Sequence, residues 1–452
     1  MPNPPTIDPY KLMHWLNARK LTPEHVRDRT GIALDLRPDT VEESLELSGA
    51  EVRKLADSLD VPVEELAVGR ARQPAALFQS RADTAATRRA VQRDGFHFYN
   101  YYSLPAPSGY IAPVILDILC PEGRLPKLNN GHLEPAITVN IGPGDIHGRW
   151  GEEINDLTWA VLKANRAPEH AWIIGDSYLE PSYRPHSYSL AGQEPARIIS
   201  YTCKSNLHAL LSRANEWTDA SYDRFVEDWS ADGQAAVLAI ALRRRAHTAA
   251  SLATATGIPK QKIAACLSGD GDALGLADLR RIGPVLGVDH RLLLPAEPVH
   301  DEIGKTWCSV EDGVASIREF GAYRAASMAG APQLPDIVGL YLSVDRADTR
   351  ALDLFDHGAG HYLATHGAPI AWWADEHGTV HEQQLAPDDS LWVGPCVPHG
   401  FSGTGALIKL GNGEGYGYLE HLELTQTVRR PQTLRRARRD RAGWGYEPTT
   451  TA

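Results

Sequence analysis

Phe98-Tyr99-Asn100-Tyr101 and, far downstream, Phe320-Gly321-Ala322-Tyr323 are two versions of one pattern. Each is followed by a proline, Pro113 or Pro335, and then by a short apolar run, Val114-Ile115-Leu116 or Ile337-Val338-Gly339. β-Branched runs bounded by Gly and Pro predict strands. Further on, Gly131-His132 aligns with Gly360-His361, and Pro185-His186 with Pro398-His399. Upstream, Thr30-Gly31-Ile32 recurs as Thr256-Gly257-Ile258, and Leu59-Asp60-Val61 as Leu286-Gly287-Val288. Beside these triplets, Val52, Leu55 and Leu59 carry helical spacing, as do Leu279, Ile282 and Leu286. The chain is a tandem duplication: helical module, β-module, helical module, β-module.

Short strands with turn signals such as Gly142-Pro143-Gly144 suit a small barrel. The expected class is α+β: a duplicated unit of helix-turn-helix-like module plus cupin-type barrel, a bicupin. The expected boundaries are 1–75 for the first helical module and 76–205 for a metal-binding barrel. A linker with the second helical module takes 206–300, and a degenerate second barrel with a C-terminal tail takes 301–452.

With 452 residues, 43% hydrophobic and 23% charged, the composition is that of a globular protein of several domains. The start, Met1 to Trp15, lacks a basic segment followed by an apolar one, and no apolar run is long enough to span a bilayer. A cytoplasmic location is expected. The five cysteines never form a C-x-x-C pair, which argues against a disulfide framework or thiolate zinc site. A net charge of -12 repels nucleic acid and anionic membranes, yet converging Lys and Arg can still bind a small anion.

Two stretches of the first β-module concentrate metal-ligand chemistry: Asn129-Asn130-Gly131-His132-Leu133-Glu134 and Gly175-Asp176-Ser177-Tyr178-Leu179-Glu180-Pro181-Ser182-Tyr183-Arg184-Pro185-His186. The candidates are His132, Glu134, His147, Glu180 and His186. Two imidazoles and one carboxylate form the facial triad of non-haem iron oxygenases, which leaves positions open for substrate and O₂. Any one of these residues, alone, is more often structural. As a set they can be compared with the second copy, where His361 and His399 stand but Val393 aligns with Glu180. Only the first copy is expected to hold metal. Spacing leaves the choice between Glu134 and Glu180 open: His132 and Glu134 would share a strand face, while Pro181 and Pro185 break any strand joining Glu180 to His186.

The chain resembles a small family of bicupin phosphonate oxygenases. The likeness begins at Tyr10-Lys11-Leu12-Met13-His14-Trp15-Leu16-Asn17-Ala18-Arg19-Lys20 and resumes at Gln92-Arg93-Asp94-Gly95-Phe96-His97-Phe98-Tyr99-Asn100-Tyr101-Tyr102. It continues through Leu128 to Asn140 and Gly148-Arg149-Trp150, is densest from Gly175 to Leu190, and reaches Ala442-Gly443-Trp444-Gly445-Tyr446. The resemblance implies Fe(II) held by His132, Glu180 and His186. It also implies a substrate shell of Lys20, Arg93, Tyr101 and Asn129, with Lys20 and Tyr101 in catalytic roles. Arg and Lys suit a phosphonate dianion, and Tyr and Asn add neutral donors. In the second copy, Arg93 aligns with Ala315, Asn129 with Gly358 and Tyr101 with Tyr323. The implied reaction is O₂-dependent cleavage of the carbon–carbon bond of 2-hydroxyethylphosphonate to hydroxymethylphosphonate and formate, without 2-oxoglutarate. Methylphosphonate formation from the same substrate is the sister activity; Glu180 favours cleavage, because Gln can replace the metal-binding Glu in the sister enzyme.

A cupin joined to helix-turn-helix modules also suggests a transcription regulator. Charge argues against it: Thr22 to Val68 holds twelve acidic residues and five basic ones, the reverse of what docking on DNA needs. The arginine-rich tail, Arg429 to Arg441, is short and lacks interleaved aromatics, so a solvated or subunit-contacting role is expected there. The expected partners are a small phosphonate and O₂, with no nucleic acid or membrane, and homo-oligomerisation through the helical parts is open.

Overall fold

The computed structural model describes residues 6–34, 36, 45–68, 73–93, 95–124, 127–151, 158–166, 174–203, 206–231, 233–295, 306–412, 418–426 and 430–438. The chain forms two compact units: Met1–Gln73 with Gly415–Ala452, and Pro74–Glu414. The tail assigned above to the second barrel therefore groups with the N-terminal helices. The second helical module shares a unit with both barrels. Among the described residues, no helix is long and apolar enough to cross a membrane.

In the first unit, helices Pro9–Arg19, Pro23–Thr30 and Gly49–Leu59 start at the N-caps Asp8, Thr22 and Ser48. Leu12, Leu16, Val26, Val52, Leu55 and Leu59 form their common core. The duplicated triplets are built alike in the other module. Thr30 Oγ1 donates to the Val26 carbonyl at 2.6 Å, and Thr256 Oγ1 to that of Leu252 at 2.7 Å. Arg19 Nε caps the Leu59 carbonyl at 2.9 Å, and Arg245 Nε that of Leu286 at 2.8 Å. Exposed Lys20 and its counterpart Ala246 both end their helices in the left-handed region, at φ 58° and 53°.

The second unit holds two antiparallel barrels. The first combines a seven-stranded sheet with a three-stranded one. The larger sheet runs, in order, Thr306–Cys308, Ser177–Glu180, Ala136–Pro143, Ala196–Thr202, Val114–Ile118, Phe96–Ser103 and Arg89–Arg93. The smaller holds Thr158–Leu162, Ile146–Trp150 and His186–Leu190. Among the described residues, the second barrel is a nine-stranded sheet. The halves exchange edge strands. Ala76–Gln79 pairs with Ser390–Val393 of the second barrel, and Thr306–Cys308 pairs with Ser177–Glu180 of the first. The sheets thus cross the divisions expected at 76–205 and 301–452. Ile137, Val139, Ile199, Tyr341, Ile408 and Leu410, from both halves, share one buried core, and the Tyr341 hydroxyl bonds to both the N–H and the carbonyl of Gly175, at 2.9 and 3.0 Å.

Strand register revises two of the expected equivalences, His132 with His361 and Tyr101 with Tyr323. Ala136 pairs with Glu180 and Gly360 with Val393, so the strand position of His361 answers to Ile137. The residue answering to His132 is Asp356. The His132 carbonyl accepts from the N–H of Tyr183, and the Asp356 carbonyl accepts from that of Cys396, at 2.6 and 2.7 Å. Tyr183 and Cys396 share a left-handed backbone, φ 58° and 60°. Tyr323 answers to Tyr99. Each hydroxyl accepts from a backbone N–H at 2.9 Å, that of Phe401 and that of Tyr188 respectively. In the strand pairing Tyr101 then falls opposite Leu116 as Ala325 falls opposite Leu342, so its counterpart is Ala325. The pairing of His186 with His399 stands: each begins its strand, and each Nδ1 lies near the carbonyl two residues back, at 3.0 and 2.8 Å.

Candidate metal centre

Glu180 ends the strand Ser177–Glu180 and His186 begins the strand His186–Leu190, with a tight turn between them. His132 lies in the loop before Ala136–Pro143. Three backbone bonds tie these segments together: Asn129 N–H to the His186 carbonyl, 2.9 Å; Tyr183 N–H to that of His132, 2.6 Å; and Gly151 N–H to that of Pro185, 3.1 Å. The Glu180 side chain is 1% exposed, and its Oε1 lies 2.5 Å from His186 Nδ1. The rings of His132 and His186 stand edge to face, centroids 5.5 Å apart. The three residues named by the resemblance are thus neighbours in one barrel. Among the described residues, no three ligating side chains already converge on one point.

The donor chemistry fits a divalent ion. His132 Nδ1 lies 2.5 Å from the Glu134 carbonyl and His186 Nδ1 lies 3.0 Å from that of Arg184. A carbonyl there can only accept, so each Nδ1 carries the proton and each Nε2 keeps its lone pair for a metal. Glu134 serves His132 through its backbone. The Asn129 carboxamide is fixed because its Oδ1 accepts from the N–H groups of Gly131 and His186, at 2.9 and 3.0 Å. Its Nδ2 therefore donates to His186 Nε2 at 2.8 Å. Metal ligation and this amide compete for one lone pair, which places Asn129 at the edge of the centre.

Tyr101 lies on the strand Phe96–Ser103, half-buried against the cluster that holds Tyr99 and Tyr188, its ring 6.1 Å from that of Tyr99. Tyr188 adjoins His186 at 5.8 Å between rings, touches the Tyr178 hydroxyl, and is pushed well up by burial. Arg93 ends the strand Arg89–Arg93, and its side chain is outside the described residues. Lys20 belongs to the N-terminal unit.

Spacing did not single out Thr138 and Ser200, which face each other on adjacent strands with the Thr138 hydroxyl donating to that of Ser200 at 2.9 Å. Their counterparts are bulky. By register Tyr362 stands for Thr138 and Lys409 for Ser200. The Tyr362 hydroxyl bonds to His399 Nε2 at 2.6 Å, and Lys409 Nζ pairs with Asp356 at 2.8 Å. The Lys409 ammonium holds the Asp356 carboxyl below its usual range, against burial. In the second barrel the protein's own side chains therefore occupy the polar groups that remain, and Val393 replaces the carboxylate.

Fold and donor set together define a bicupin with one candidate two-histidine, one-carboxylate centre. The model of the 2-hydroxyethylphosphonate dioxygenase cupin-like domain matches residues 85–203. The chain is 51% identical, over 98% of its length and 99% of the relative, to 2-hydroxyethylphosphonate dioxygenase of Streptomyces viridochromogenes. It therefore belongs to the 2-hydroxyethylphosphonate dioxygenase family. Among solved structures, PhpD with cadmium, complexed with hydroethylphosphonate, is 47% identical with a TM-score of 0.82, covering 95% of this chain and 99% of that one. A tyrosine-to-phenylalanine variant of hydroxyethylphosphonate dioxygenase is 48% identical with a TM-score of 0.84, covering 96% and 100%.

Proposed function

We propose that this chain is an Fe(II)-dependent dioxygenase that converts 2-hydroxyethylphosphonate and O₂ into hydroxymethylphosphonate and formate. The observation that supports this reading is that Glu180 and His132 each lie beside His186 in one barrel of a chain that belongs to this family. The products together hold every atom of the substrate and of O₂, so the substrate supplies all the electrons and no 2-oxoglutarate is consumed.

His132 and His186 through Nε2, and Glu180 through its carboxylate, are the residues that would hold the ion. When bound, Fe(II) supplies charge neutralisation and open positions where substrate and O₂ meet. The protein's part is orientation. The Glu134 carbonyl fixes the His132 tautomer, and the Glu180 carboxylate with the Arg184 carbonyl fixes that of His186. The Asn129 amide and Tyr101 hydroxyl are neutral donors for a phosphonate oxygen or the substrate hydroxyl, and Arg93 and Lys20 are the proposed cations for the dianion.

Glu180→Ala tests the reading. With Fe(II) loaded anaerobically and O₂ and 2-hydroxyethylphosphonate then added, phosphorus NMR is expected to show hydroxymethylphosphonate for the unmodified chain. The variant is expected to lose bound iron and turnover together. Near-normal activity in the variant would remove the triad, and methylphosphonate as the product would assign the sister activity.

A further inference from the structure

Asp176 stands immediately before the strand that carries Glu180, and it is 1% exposed. Its Oδ2 accepts from the N–H of Lys163 at 2.7 Å, and its Oδ1 from that of Val310 at 2.8 Å. Its own N–H donates to the Lys163 carbonyl at 2.8 Å, and its carbonyl accepts from Asn140 at 3.0 Å. Val310 opens the short helix Val310–Ala315, directly after the exchanged strand Thr306–Cys308. Asp176 therefore joins the end of Thr158–Leu162 and the segment donated by the second half through its carboxylate, and the strand Ala136–Pro143 through its backbone carbonyl.

The second barrel repeats the arrangement. Asp389 precedes Ser390–Val393, and its Oδ1 accepts at 2.7 Å from the N–H of Arg81. Arg81 opens the helix Arg81–Ala86 after the exchanged strand Ala76–Gln79. Asp389 Oδ2 accepts from Ala386 at 2.9 Å, and its carbonyl from Ala364 at 2.9 Å. The two carboxylates are counterparts in every one of these contacts. They differ in what lies at the far end of their strands: Glu180 in one barrel and Val393 in the other.

We propose that Asp176 is a positioning residue for the metal carboxylate, setting Glu180 through the strand exchange. This rests on the triad reading above. Ser177–Glu180 is only four residues long, paired on both sides, by Ala136–Val139 and by Thr306–Cys308. An extended, doubly paired segment has no slack, so a shift at Asp176 is transmitted to Glu180. Asn in place of Asp keeps one acceptor oxygen and turns an NH₂ toward the other backbone donor, leaving a buried N–H unsatisfied.

The duplication supplies its own control. Asp176→Asn and Asp389→Asn are expected to lower Tm comparably in the metal-free chain. Only Asp176→Asn is expected to raise the Fe(II) dissociation constant, by about tenfold or more, and to lower kcat more than it raises KM. A gentler pair covers failure to fold. Val310→Pro and Arg81→Pro each remove the N–H donated to the aspartate while leaving the carboxylate itself in place, and proline is well accepted at the first position of a helix. Val310→Pro is expected to weaken Fe(II) binding and Arg81→Pro to leave it unchanged. Equal effects of the two members of either pair on Fe(II) binding, or none, overturn the proposal. Glu180→Ala, measured alongside, separates the two readings: if it binds Fe(II) normally, the triad falls and this inference with it. If it loses iron, only the role of Asp176 is being read.

Discussion

At the residue scale, Gly131 shows how tightly the centre is drawn. Its φ is +72°, and a Cβ there would meet the carbonyl carbon of Tyr183 at 2.6 Å and the nitrogen of Arg184 at 2.8 Å. It is the point where the His132 loop presses on the turn between Glu180 and His186. Gly131→Ala is expected to cost well over the ~1–2 kcal/mol of a left-handed alanine and to weaken Fe(II) binding, read by thermal melts and metal titration. Gly31, at φ +74° with nothing within 4 Å, is the comparison: its alanine variant should show the backbone cost alone. Lys20 poses the opposite question, because a lysine occupies a left-handed cap where glycine is easier. Lys20→Gly is expected to hold or raise Tm while lowering kcat/KM at least about tenfold, the loss of a charge-assisted contact. Full activity in that variant would remove the ammonium from the substrate shell. Pro185-His186 and Pro398-His399 were legible in the sequence as counterparts because each proline fixes the entry to a strand. Gly131-His132 and Gly360-His361 misled because a shared dipeptide carries no register. Register is set instead by bulges, which leave an extra residue at Ile141 in one strand and at Thr365 in the other.

At the element scale, the duplicated helices and the order of strands followed from period and punctuation, since helix caps and β-branched runs are local signals. Strand exchange was not legible. Ala76–Gln79 and Thr306–Cys308 are too short to reveal which sheet they join, and pairing between distant segments leaves no periodic trace. His361, expected to be a relic of a metal ligand, instead serves the junction of the barrels. It is 4% exposed, its ring 4.8 Å from that of Tyr201. Burial pushes its pKa from 6.5 down to about 3. His399 is lowered too, again by burial. The folded chain thus keeps His361 neutral where the unfolded chain binds a proton. This stability is complete above pH about 6.5 and declines as pH falls from there toward 3. At pH 5.5 the loss from His361 is about 1.4 kcal/mol, the worth of one unit. Urea unfolding at pH 7.5 and 5.5 should show a smaller pH dependence in His361→Gln than in the unmodified chain. An identical dependence would mean that His361 titrates normally in the folded state.

At the scale of the whole molecule, the barrel with Val393 in place of Glu180 is packed into the barrel that carries Glu180. It covers the edge of the Glu180 strand and contributes half of the common core. Its own interior is closed by Tyr362 and Lys409, so it keeps its polar groups satisfied without a metal. Each half lends a strand, and neither barrel closes alone. Residues 215–219, joining the helices Asn206–Ala214 and Asp219–Asp228, are all exposed, and the second of these helices has no buried residue. A break there cuts little packing. Co-expressed fragments 1–216 and 217–452 are therefore expected to copurify through a tag on either one, to melt in a single transition, and to bind iron like the intact chain. Fragment 1–216 by itself leaves the edge of Ser177–Glu180 unpaired, a strand edge that invites aggregation, and is expected to be insoluble or free of iron. A soluble fragment 1–216 that binds Fe(II) as tightly as the whole chain would show that the exchanged strand is dispensable, and would remove the reason for retaining a second barrel.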